Sequence, residues 1–177
     1  MLADALRPAR DGLPSSARRL LRLLKVDLEP RPGQPSWTRF AIALVLANAA
    51  SLASDAVLVA VATAIFPSLR GFQHFQPLDY GKLTVVGVTI ACIAWPIMTR
   101  ISSEPRWLFL RLAVLVILVL WLPDLWILLH GEPVRGVIFL ALMHLAIAFI
   151  AYNALVRIAP AGPRPATAED PRVSPSP

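Results

Sequence analysis

Residues 40–66 read FAIALVLANAASLASDAVLVAVATAIF, an apolar run interrupted by one ionisable side chain, Asp55. A transmembrane helix needs about 20 such residues, within a range of roughly 17–25, to cross a hydrocarbon core ~30 Å thick. Three further runs of that kind follow, at 83–101, 107–129 and 134–158. With 56% hydrophobic residues and a mean hydropathy of +0.63 over 177 residues, the chain is too apolar for a water-soluble domain. The expected fold is all-α and integral to the membrane: a four-transmembrane-helix bundle over residues 37–158, between a basic segment at 1–36 and a proline-rich tail at 159–177.

The placement of charge sets the expected orientation. Of the 17 Lys and Arg residues, only Arg70, Lys82 and Arg135 fall in the loops after spans one and three. All others precede span one, flank the middle loop or follow span four. By the positive-inside rule both termini are cytoplasmic. A net charge of +6 and pI near 10.7 thus reflect membrane topology, and nucleic acid is not an expected partner. Arginine heavily outnumbers lysine, and alanine, leucine and proline abound, a composition that points to a GC-rich bacterial genome and so to a bacterial plasma membrane. One cysteine, Cys92, can form neither an intrachain disulfide nor a C-x-x-C dithiol, which excludes four-span thiol oxidoreductases.

Within the first segment, residues 15–28 place Ala17, Leu20, Leu21, Leu24 and Leu28 on one helical face and Arg18, Arg22 and Lys25 opposite. This is the pattern of a basic amphipathic helix lying on the inner leaflet, where anionic lipid attracts each cation by about 1 kcal/mol. Span one is too long for a cleavable signal and reads as an uncleaved anchor. The loop at 67–82, PSLRGFQHFQPLDYGK, carries aromatics expected to anchor at the membrane interface rather than to form a lid. The turn His130-Gly131-Glu132-Pro133 forces spans three and four into an antiparallel hairpin. Six prolines among small polar residues after 159 read as disorder.

Depth, counted at about 1.5 Å per residue from the loop ends, singles out a candidate site. Asp55 and His144 both fall roughly 15–16 Å down, near the midplane. Asn48 and Asn153 match each other closer to the inner face, so spans one and four are expected to be antiparallel neighbours. Asn48, Ser51 and Asp55 recur at i, i+3 and i+7, drawing a polar stripe on one face. Span four offers His144, Ala148, Ala151, Tyr152 and Leu155 on the facing side. A lone carboxylate at the bilayer centre is penalised by about 2.5–3.5 kcal/mol on insertion scales, so Asp55 is expected to find a partner, and His144 is the expected one. The plainer reading is an interhelical hydrogen bond that only fixes register, worth ~0.6 kcal/mol.

Other sites are secondary. Pro123, Asp124 and His130 could line a vestibule at the loop end, with Arg70, Lys82 or Arg135 answering the acid. Cys92 computes to the depth of Asp55 and His144, but three ligands on three helices make a weak metal motif, and no metal or cofactor is expected. No nucleophile elbow, phosphate loop or paired-acid spacing occurs.

Asn48, the stretch Phe75-Gln76-Pro77-Leu78, the segment Leu122-Pro123-Asp124-Leu125 and Leu142-Met143-His144-Leu145 resemble a family of small four-span actinobacterial membrane proteins catalogued only as a domain of unknown function. The resemblance extends sparsely over residues 37–158. It implies the four-span architecture, draws attention to Asp124 and His144, leaves Asp55 outside its pattern and brings no activity.

The leading expectation is a self-associating multi-pass protein whose polar midplane site binds a small ligand, lipid or proton. A structural or accessory subunit with no site of its own, in which the polar stripe only packs helices or docks a partner span, is the alternative. An intramembrane enzyme using His144 as general base oriented by Asp55 comes third. For the inner-face helix, replacing Arg18, Arg22 and Lys25 by glutamate should release a peptide of residues 13–30 from anionic vesicles in a sedimentation assay. Unchanged binding would refute the surface helix.

Overall fold

The computed structural model describes residues 33–102 and 104–162, together with 14–16 and 19. Most of the expected amphipathic helix, including Arg18, Arg22 and Lys25, and the tail beyond 162 lie outside the described residues. Four long helices make the fold: α1 (Trp37–Ile65), α2 (Pro77–Ile101), α3 (Pro105–Leu129) and α4 (Val134–Ile158). Each is long and apolar enough to cross a membrane, and no strand occurs among the described residues. The bundle's outer surface is itself apolar. On α3, Val114, Leu115, Leu118, Val119, Leu122 and Leu125 are all exposed, a face suited to hydrocarbon rather than water.

Local chemistry sets the ends. The Ser36 hydroxyl accepts from the Arg39 amide, capping α1. Between α3 and α4 the Glu132 amide donates to the Ile127 carbonyl and the Gly131 amide to Leu128, closing a Schellman turn that needs the positive φ of Gly131, 90°. Pro133 then starts α4, as the antiparallel hairpin requires.

α1 and α4 share the most extensive interface, as their matched polar positions suggest. Small residues make it possible: Ala43, Ala47 and Ala151 are buried with Leu155 on that seam. At the end where the described chain enters and leaves, Trp95 is fully buried and its indole N–H donates to the Ala159 carbonyl at 2.8 Å. Its ring meets Phe109 edge-on, and Phe109 stacks on Tyr152, tying α2, α3 and α4 together. There the Gly162 amide also donates to the Gly33 carbonyl at 2.7 Å, so both flanks of the bundle emerge at one end. A side chain at either glycine would strike the other's backbone, at 2.6 Å or 2.7 Å.

The opposite end departs from expectation. Instead of a surface loop reaching to residue 82, helix α2 begins at Pro77, and residues 66–76 fold into the bundle through 3₁₀ turns at Pro67–Leu69 and Gln73–Phe75. Leu69, Phe72 and Phe75 are buried there against Ala62, with Val59, Phe139 and Leu140 around them. This inward fold lowers α2 relative to α1. A Cβ on Gly81, four residues into α2, would lie 3.8 Å from the Leu52 side chain, thirteen residues before the end of α1. At about 1.5 Å per residue, α2 therefore starts roughly 10–15 Å below the end of α1. The far end agrees: Thr99, late in α2, donates to the Gln34 side chain ahead of α1. The helix runs through Pro96 to Ile101.

Phe72 can sit inside only because residue 136 is glycine, where a Cβ would come within 2.9 Å of the ring. Gly136→Ala should lower stability by about 1–3 kcal/mol through overpacking, read as thermal unfolding in detergent. Gly87→Ala, where the added methyl meets nothing within 4 Å, should be neutral or slightly stabilising in the same assay.

Candidate functional site

Two acids are buried in the bundle, and each is answered by a different helix pair. Asp55 on α1 is fully buried, and the Thr84 hydroxyl of α2 donates to its Oδ2 at 2.6 Å. Asp124 on α3, also buried, accepts at Oδ2 from His144 Nδ1 of α4 at 3.0 Å. An ionised carboxylate only accepts, so with Asp124 ionised the proton of that bond sits on Nδ1. His144 thus bonds Asp124 and interacts with Asp55 only through space, as charge with charge.

The expected Asp55–His144 hydrogen bond is therefore replaced by two others, and helix geometry explains why. Side chains lean toward the N-terminus of their own helix. On antiparallel α1 and α4, Asp55 leans toward the termini end and His144 toward the hairpin end, so equal backbone depth drives their tips apart. On α3 and α4 the same rule works in reverse. Asp124 lies five residues from the end of α3 and His144 ten residues into α4, a backbone offset of about 7.5 Å that both leans reduce. Thr84 meets Asp55 for the same reason: lowered α2 places its backbone below Asp55, and the two side chains lean toward each other.

None of the three expected cations answers Asp124. Arg135 lies 4.6 Å over the Phe66 ring, Lys82 pairs with Asp79 at 3.5 Å, and the acid has His144. The vestibule does not converge either. Asp124 points inward, Pro123 is exposed, and His130 caps α3 with its ring against Trp126 and Nδ1 on that residue's carbonyl. Asn48 and Asn153 do not pair; their side-chain amides donate to Leu44 and Phe149 in their own helices. Tyr152 belongs to the aromatic cluster with Phe109. Cys92 packs with Ala43, Ala47 and Trp95, and the described residues contain no group of three His, Cys, Asp or Glu able to hold a metal ion.

What remains is the α1 stripe. Asp55 Oδ1, Ser51 Oγ and Asn48 Oδ1 are buried with no hydrogen-bond partner among the described residues. Asp55 and Ser51 are each fully buried, one helical turn apart on the same helix. Unpaired buried oxygens cost about 1–3 kcal/mol each, more when charged, so three on one face form an unusual concentration. Thr84 is the residue that sequence reading missed. Its signal was the helix-start pattern of Pro77 at the first position with Asp79 in the first turn, which extends α2 toward the loop.

In comparisons with known proteins, no family model, curated protein or solved structure matches the chain.

A double-mutant cycle tests the rearranged pairing. Asp124→Asn with His144→Gln should show coupling above ~0.6 kcal/mol in detergent unfolding, toward the ~1.7 kcal/mol upper range for bonds between membrane helices. Asp55→Asn with His144→Gln should couple more weakly, and the reverse order would refute the assigned bonds.

Proposed function

We propose that the chain is a multi-pass protein of a bacterial plasma membrane, with both termini cytoplasmic, that binds and releases a proton at a centre around Asp55. One observation carries this reading: Asp55 is fully buried, Thr84 satisfies one carboxylate oxygen, and the other has no partner among the described residues. A carboxylate kept only to fix helix register would be expected to have both oxygens satisfied, because the unsatisfied one costs stability and returns none. A proton on Oδ1 removes the buried charge and supplies a donor facing the Ser51 turn.

His144 is the natural exchange partner. Its side chain retains about a quarter of its exposure, against 8% for Asp124. Its Nδ1–H is held by Asp124, as a carboxylate commonly holds a working imidazole, and Nε2 is left to take up or pass a proton. The kinship with four-span actinobacterial proteins belongs to this proposal and adds architecture but no substrate.

Rapid acidification of the purified full-length protein, followed with a pH-indicator dye, is the direct measurement. Wild type should take up about one more proton per chain than Asp55→Asn as the carboxylate protonates. Equal uptake by the two folded proteins would refute the assignment.

A further inference from the structure

Asp55 Oδ1, Ser51 Oγ and Asn48 Oδ1 form a file of oxygen acceptors along one face of α1, buried and unpartnered among the described residues. We infer that the Asp55–Ser51 part of this file is a binding site for a monovalent alkali-metal cation, exchanging with the proton on Asp55. The inference rests on the proton-binding reading of Asp55 and names a second occupant of the same carboxylate.

Charge and donor chemistry select the class of ion. The local donors are a carboxylate, a hydroxyl and an amide carbonyl, all hard oxygens, which suit alkali and alkaline-earth cations rather than thiophilic or imidazole-seeking metals. Asp55 supplies a single negative charge at a fully buried position, so a monovalent ion leaves the site neutral whereas a divalent ion leaves an uncompensated charge. Thr84 donates to Oδ2 and so orients the carboxylate without consuming Oδ1. Asp55 and Ser51 are four residues apart on one face, with side-chain origins about 5–6 Å apart, and they make no direct hydrogen bond. An ion between Oδ1 and Oγ satisfies both. Asn48, a turn further toward the termini end, adds a third oxygen along the same face.

The surrounding groups set the expected pH response. On α2 the facing group is the neutral hydroxyl of Thr84, on α4 it is His144, and on α3 it is Asp124, already bonded to His144. Protonating Asp55 removes the charge that holds a cation, and protonating His144 places a like charge within Coulombic range of it. Acid therefore opposes the cation through both groups.

The test uses thermal unfolding of the full-length protein in a neutral detergent, at fixed ionic strength, with sodium, lithium, potassium or choline chloride. Wild type should unfold at a temperature that rises saturably when sodium or lithium replaces choline, more at alkaline than at mildly acidic pH. Asp55→Asn should abolish the rise, and Ser51→Ala should shift its midpoint to at least several-fold higher salt. Unfolding temperatures that are the same in all four salts at both pH values would overturn the cation site. If Asp55-dependent proton uptake persists in that case, the proton reading stands without it. A sodium-dependent rise retained by Asp55→Asn would also overturn the inference, by placing the ion elsewhere. Should Asp55→Asn fail to fold, equilibrium binding of radioactive sodium to wild type decides: acid-displaceable uptake of about one ion per chain, weakened in Ser51→Ala, supports the site, and no uptake above a choline-washed blank overturns it.

Discussion

Hydrocarbon cannot hydrogen-bond a peptide group, so irregular backbone at membrane depth must satisfy itself. Residues 66–76 meet that constraint with consecutive short-range bonds: Leu69 to Phe66, Arg70 to Pro67, Phe72 to Leu69, Phe75 to Phe72 and Gln76 to Gln73. Because the segment is self-satisfied, its apolar side chains are free to pack inward, and Leu69, Phe72 and Phe75 fill the hairpin end between α1 and α4. That descent sets the height of α2. The height of α2 in turn brings Thr84, rather than Cys92, opposite Asp55, so the partner of the most deeply buried charge is chosen by how a connecting segment folds.

Much of this was legible in advance. Each apolar run becomes a helix, the turn at Gly131 makes the hairpin, and the small residues of α1 and α4 mark the seam between them. The local pairings were less legible, for two physical reasons. Counting residues from a loop end assumes that all helices start level, and nothing in PSLRGFQHFQPLDYGK announces that its aromatics turn inward, where the glycine at 136 makes room for Phe72. Backbone depth also ignores the lean of side chains. Asp55 and His144 match in depth yet bond other partners, whereas Asp124 and His144 mismatch in depth and meet.

The polar stripe of Asn48, Ser51 and Asp55, by contrast, could be read directly, because it depends only on the period of one helix. The structure buries that stripe against its neighbours without supplying enough donors, as the unpaired oxygens show. Local periodicity finds the group, but only the assembled bundle reveals that its hydrogen-bonding capacity is unfilled.

The two acids differ in what can answer a change in charge. Thr84 offers Asp55 a hydroxyl, which orients the carboxylate but cannot acquire a charge to match it. His144 offers Asp124 an imidazole, which can bond the acid as a neutral donor or meet it as a cation. Asp124 therefore has a partner able to share its charge, while the hydroxyl that bonds Asp55 cannot. Asp55 thus has a fixed hydroxyl on one oxygen and no hydrogen-bond partner among the described residues on the other.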